Sequence, residues 1–216
     1  MVPPPYPRTP HLWAPAPEVA GDRVLDLAER QHWLQRPVVV EEKLDGANVS
    51  VWWEQAQPQV ASRGGAGAMD RARQLGPLRA RVNAAYDQLR SLLDGGWVLY
   101  GEWLWLTHTV HYDRLPDHLV ALDLWHPEWG FADLLRRDER TQVSGLAVPP
   151  RLFTGVLGSL EMLFGLMGRS RFGTAPMEGV VLRRDDGAIC KVLRPGFVRA
   201  GDDQIGRARN VLTRRW

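Results

Sequence analysis

Only two of the 27 Lys and Arg residues are lysines, Lys43 and Lys191; every other cationic side chain is arginine. A guanidinium stays protonated at any ordinary pH and cannot act as an amine nucleophile, whereas a lysine amine can once it has lost a proton. The first lysine stands in Glu41-Glu42-Lys43-Leu44-Asp45-Gly46-Ala47-Asn48, among three carboxylates and close to a glycine that lets backbone approach a ligand closely. Such neighbours hold an ammonium near or above its usual pKa of about 10.4. A nucleophilic role therefore needs a counterweight, and a divalent cation on the carboxylates would supply one. Read without chemistry, the same segment is a turn with surface ion pairs.

Other side chains carry weaker signals. His108 and His111 suggest a metal pair, but no third ligand accompanies them, which favours hydrogen bonding within a loop. Cys190, the single cysteine, reads as a small buried neighbour of Lys191 and excludes an internal disulfide or a multi-cysteine zinc site. Most of the ten tryptophans read as core, with Trp103 and Trp105 as candidates for a stacking surface. The formal charge of +2 and the C-terminal Arg207, Arg209, Arg214 and Arg215 suit a phosphate backbone, although each of these arginines also fits a solvated helix face.

The elements that must position these residues follow from periodicity. After a proline-rich N-terminal arm (1–20), expected either to wrap the domain or to be disordered, residues 22–35 carry helical spacing that Pro37 ends. Residues 38–42 and 47–53 are β-branched and aromatic runs flanking Asp45-Gly46, which predicts a hairpin with Lys43 near its turn. A short strand ends at Ser62-Arg63 before the Gly-rich loop 64–68. Residues 71–93 read as helical, broken at Gly76-Pro77 and stopped at Gly95-Gly96. Strands are expected at 97–104 and 119–125, helices at 131–142 and 156–167, strands at 178–184 and 188–194, and a final helix at 202–213. Such an order predicts one α+β domain over 21–216 with largely antiparallel sheets. No run approaches the roughly 20 apolar residues of a membrane span, and the N-terminus lacks the pattern of a secretion signal. The expected setting is soluble and cytoplasmic.

The segment around Lys43 resembles the lysine-x-aspartate-glycine motif of the covalent nucleotidyltransferases, the superfamily of ATP-dependent DNA and RNA ligases and capping enzymes. Ser62-Arg63-Gly64, Tyr100-Gly101-Glu102, Val120-Ala121-Leu122-Asp123-Leu124, Glu178-Gly179-Val180-Val181-Leu182-Arg183 and Lys191 then match the family's later motifs in order. The Glu-Lys-x-x-Gly-Ala-Asn form and the stretch from Trp105 to Leu119 look most like the RNA ligase 2 branch. This resemblance implies an ATP-grasp-like ligase adenylation domain: two largely antiparallel sheets with flanking helices and ATP between them. It implies that Lys43 becomes covalently linked to AMP, that Glu42 helps recognise adenine, and that Glu102 accepts hydrogen bonds from the ribose. It further implies that Arg63 and Asn48 hold the nucleotide and the RNA phosphate, that Asp45 and Glu178 place Mg²⁺ or Mn²⁺, and that Lys191 meets the α-phosphate. The partner implied is duplex or nicked RNA with 5′-phosphate and 3′-hydroxyl ends.

This chain departs from the family pattern in two places. The last motif usually pairs two lysines around one residue, and here Ile189 or Leu193 takes the companion position, with Arg194 nearby. Leu122 stands where an aromatic residue often stacks on adenine. The chain is also expected to carry no oligonucleotide-binding barrel or other C-terminal domain, leaving substrate grip to its basic tail, its arginine-rich surface or a protein partner. Alternative readings are a DNA nick ligase, a GTP-dependent capping-type enzyme, and a non-catalytic nucleotide- or RNA-binding module of the same fold.

Overall fold

The computed structural model describes residues 2–14, 22–63, 74–199, 206 and 208–213. Two five-stranded sheets carry the site. In chain order the strands are β1 (His11–Trp13), β2 (Pro37–Lys43), β3 (Ala47–Glu54), β4 (Gln57–Ser62), β5 (Val98–Trp103), β6 (Leu119–His126), β7 (Gly130–Phe131), β8 (Arg151–Val156), β9 (Gly179–Arg183) and β10 (Ile189–Leu193). The helices are α1 (Leu27–Leu34), α2 (Gly76–Ala84), α3 (Tyr86–Leu93), α4 (Leu134–Ser144) and α5 (Leu160–Gly165). One sheet runs β1-β10-β9-β2-β8 and the other β4-β3-β5-β6-β7, antiparallel throughout except for the β1–β10 pair. Among the described residues no helix is long and apolar enough to cross a membrane.

Strand alternation sorts the side chains into layers. On the first sheet Val38, Val40, Val180, Leu182, Cys190 and Val192 face one way and pack with Trp33, Leu34 and Leu163 of α1 and α5. On the second, Val49, Val51 and Leu99 pack against Leu78, Leu89 and Leu92 of α2 and α3. The opposite faces look at each other across a cleft, and charge joins them there. Arg183 donates from Nε to Glu41 at 2.8 Å and from Nη1 to Asp123 at 2.7 Å. Arg137 donates to Glu41 at 2.5 Å and, from Nη1, to the Leu122 carbonyl at 3.1 Å. The Tyr6 hydroxyl of the N-terminal arm donates to Asp123 and its ring lies 5.2 Å from that of Tyr100. Glu41 and Arg137 are each 1% exposed in this network, so every charge must meet an opposite one.

Several sequence expectations change. β2 and β3 do not form a hairpin: β2 pairs with β8 and β9, and β3 with β4 and β5. Asp45-Gly46 is a crossing between sheets, and Gly46 is required because a Cβ there would lie 2.6 Å from the Trp103 carbonyl oxygen and 2.7 Å from a Leu104 methyl. The first helix starts only at Leu27, where Asp26 and Glu29 form a capping box, and Val24 instead bridges His11. Pro77 sits in the first turn of α2 and the helical break falls at Ala85. Residues 151–156 form strand β8, so α5 is shorter than the expected 156–167 helix. The final helix is not seen among the described residues 208–213, which instead bridge Leu106 and Leu115 as an extended segment fastened by Asn210. Residues 2–14 of the arm lie against the domain, with β1 extending the first sheet, while residues 1 and 15–20 lie outside the described residues.

Candidate active site

The register of the first sheet brings its chemistry together. Lys43, the last residue of β2, pairs with Gly179, which places Glu178 immediately alongside. Lys43 Nζ donates to Glu178 Oε2 at 2.6 Å. Gly179 permits this approach, since a Cβ there would fall 2.1 Å from the Val192 carbonyl oxygen. On β10, Cys190 and Val192 face the helices, so Lys191 projects to the cleft side with Lys43. Its Nζ donates to Asp22 Oδ2 at 2.5 Å.

The second sheet supplies the facing wall. Asn48 on β3 stands directly opposite Glu102 on β5, and the Arg63 amide donates to the Asn48 carbonyl at 3.0 Å. Arg63 is exposed at the end of β4. Glu102 Oε1 accepts from the Gly46 amide at 3.0 Å, which ties it to the crossing segment. Asp45, within that segment, accepts at Oδ2 from the Thr109 and Val110 amides at 2.6 and 2.8 Å, while its own amide donates to the Tyr112 hydroxyl at 2.8 Å. One Asp45 oxygen therefore anchors the β5–β6 loop.

The electrostatics follow from burial of these groups together. Burial pushes Glu102 up to about 7 against the pull of the Lys43 ammonium. Burial also raises Glu178, opposed by Lys43. For Lys43, burial alone would lower the pKa, but Glu178, Glu102 and Asp45 outweigh it and the ammonium is held above its usual value. Burial leaves Lys191 below its usual value despite Asp22. Glu102 and Glu178, two desolvated carboxylates whose protons are held more tightly than usual, mark a place where added positive charge is stabilised.

Not every expected residue joins this cluster. Glu42 lies on the opposite face of β2 from Lys43, because consecutive strand residues alternate. Its buried carboxylate accepts from the Arg171 amide at 2.8 Å, and burial raises its pKa. Leu122 is half-buried, and its carbonyl accepts from Arg137 and Arg183 at 3.1 and 3.2 Å. His111 Nδ1 pairs with the Thr107 hydroxyl at 3.0 Å, a loop contact rather than a metal pair with His108. Trp103 is core, whereas half-buried Trp105 carries the Arg209 guanidinium 4.6 Å above its ring. Gly64, the loop 64–68, Arg207, Arg214 and Arg215 lie outside the described residues. Sequence reasoning missed Asp22, Arg137 and the charged pairing of Glu41, Arg183 and Asp123. Charges at cleft-facing positions of otherwise apolar strands were the available signal.

Comparison with known proteins bears on the family and the fold. The family model described as RNA ligase matches residues 36–194. No curated protein matches the chain. A solved Naegleria gruberi RNA ligase variant without ligand is 15% identical with a TM-score of 0.55, over 78% of this chain and 52% of that one. A lysine variant of the Naegleria gruberi ligase with ATP and Mn gives 15% identity and a TM-score of 0.58 over the same shares. The chain thus spans about half the length of these solved ligases, and the likeness shows a shared fold. With more than half of its residues matched by the family model and the motifs in order along two facing sheets, the chain belongs to the RNA ligase family.

Proposed function

We propose that this chain is the adenylation domain of an ATP-dependent RNA ligase, of the RNA ligase 2 type, working through a lysyl-AMP intermediate. The observation that carries this reading is the part-buried 2.6 Å contact of Lys43 with Glu178, with Lys191 on the same sheet and Asn48, Glu102 and Arg63 on the facing one. Lys43, once deprotonated, directs its lone pair at the α-phosphorus of ATP; the N–P bond forms as the bond to the β-phosphate oxygen breaks, and pyrophosphate leaves with that electron pair. Lys191 balances charge on the α-phosphate oxygens. Glu102 accepts from the ribose hydroxyls. The AMP then passes to a 5′-phosphate of RNA, with Arg63 and Asn48 holding the reacting phosphates, and a 3′-hydroxyl displaces it to seal the strand.

Glu178 and Asp45 are the residues that would hold Mg²⁺ or Mn²⁺. The carboxylate-rich, desolvated setting fits a hard cation, and among the described residues no cluster of three or more His, Cys, Asp or Glu forms a complete cage. Phosphate oxygens and water would therefore complete the ligand set. When bound, the ion neutralises charge at the phosphates and favours the neutral amine of Lys43. The Naegleria gruberi ligase structures with ATP and Mn support this choice of nucleotide and metal.

The test is covalent labelling. The protein is incubated with radiolabelled ATP, GTP or NAD and Mg²⁺ or Mn²⁺, then denatured and assayed for bound label. ATP should give an adduct that Lys43→Ala and Lys43→Arg both abolish, while Lys191→Arg keeps part of the signal. Absence of any adduct, or its survival in Lys43→Ala, overturns the mechanism. Sealing of nicked RNA against nicked DNA duplexes then decides the substrate.

A further inference from the structure

The N-terminal segment lies outside the residues matched by the family model, yet it reaches the second lysine of the site. The Lys191 amide donates to the Pro10 carbonyl at 2.9 Å, and β1 pairs with β10 at His11 and Lys191. The returning chain is laced to β1, with the His11 amide donating to Arg23 at 2.7 Å and the Leu25 amide to His11 at 2.8 Å. This lacing carries Asp22 to the Lys191 side chain. Asp22 Oδ2 accepts from Lys191 Nζ at 2.5 Å, with both side chains about 15% exposed, and Oδ1 accepts from Arg8 at 3.1 Å.

The direction of approach matters. Sheet order and register place Lys43 two strands to one side of Lys191 and two residues along, roughly 12 Å between their backbones at ordinary strand spacing, and β1 on the other side. Asp22 is brought in by the segment laced to β1. Its backbone thus enters from the β1 side of Lys191. A lysine is a point charge on a flexible four-carbon stem, and its ammonium points reproducibly only when something fixes it. Burial also works against its charge, which Asp22 opposes.

We propose that Asp22 is a positioning residue for adenylyl transfer: its carboxylate fixes the Lys191 ammonium in one place on the cleft-facing side of the first sheet, from which it meets the α-phosphate. This rests on the adenylation reading above. A misplacement of about 1 Å at a reacting centre can cost on the order of a hundredfold, so loss of this tether should appear in the rate of Lys43 labelling rather than in nucleotide affinity.

Rapid-quench labelling with ATP and Mn²⁺ tests it in the full chain. Asp22→Asn should slow adduct formation at saturating ATP by about tenfold while moving the half-saturating ATP concentration by less than about threefold. Asp22→Glu should recover most of the rate. Added to Lys191→Ala, Asp22→Asn should cause no further loss, because its target is gone. A carboxylate that merely competes with ATP would instead make Asp22→Asn faster, and a purely structural one would slow both backgrounds by the same factor. Either result overturns the proposal, as does an Asp22→Glu variant no better than Asp22→Asn. A wild-type protein that forms no adduct fails the adenylation reading itself; one that labels normally while Asp22→Asn matches it fails only this inference.

Discussion

Burial pushes the Glu102 carboxyl up to about 7, so at neutral pH the fold is part-way to burying a carboxylate beside Glu178 and Asp45. The unfolded chain would ionise the same group near 4.3. Because the folded state holds this proton more tightly, the contribution is fully favourable below about 4.3 and is lost as pH rises through about 7. Glu102→Gln keeps the acceptor for the Gly46 amide but cannot ionise. It is expected to be more stable than wild type by about 2 kcal/mol at pH 8, with the gain vanishing near pH 4, as measured by urea unfolding at both values. Nucleotide labelling should fall in the same variant. Residues such as Glu102, Lys43 and Glu178 were legible in the sequence because each sits in a short motif whose order along the chain is informative. Asp22 was not, since its link to Lys191 spans 169 positions and no local pattern encodes it.

Elements were legible where a local pattern defines them and illegible where pairing does. The runs at 38–42, 47–53 and 119–125 lie within β2, β3 and β6 because β-branched and aromatic residues suit a pleated, half-buried surface. Which strand lies beside which is a long-range fact. Asp45-Gly46 carries the composition of a two-residue hairpin turn, but its glycine serves close contact with the Trp103 carbonyl, and the chain changes sheets there. Strand β8 was not expected: it starts directly after Pro149-Pro150, between the helices expected at 131–142 and 156–167. Gly179 makes the same point about close approach. Gly179→Ala would drive a methyl into the Val192 carbonyl and pry β9 from β10, so it is expected to destabilise the fold by about 3 kcal/mol. A drop in melting temperature together with reduced Lys43 labelling would check this, since β9 positions Glu178 and β10 positions Lys191.

At the scale of the molecule, the two sheets meet through charge on their facing sides. Arg183 neutralises Glu41 from its own sheet and Asp123 from the other, and Tyr6 is a second partner of Asp123. Replacing one member of such a buried set leaves the others uncompensated. Arg183→Met is expected to cost about 3–5 kcal/mol, whereas Arg151→Ala, a partly exposed partner of Asp138, should cost about 1 kcal/mol or less. Equilibrium unfolding of the two variants side by side tests that contrast. The N-terminal arm has a second consequence at this scale. With β1 in place, the Lys191 amide donates to Pro10, and the backbone of β10 is covered on its outer side. Deleting residues 2–14 would bare that backbone as a template for strand addition. The truncated protein is therefore expected to self-associate with rising concentration in sedimentation experiments, one copy lending a strand to the next. In this light the arm is a guard against polymerisation, occupying the seat that a neighbouring copy would otherwise take.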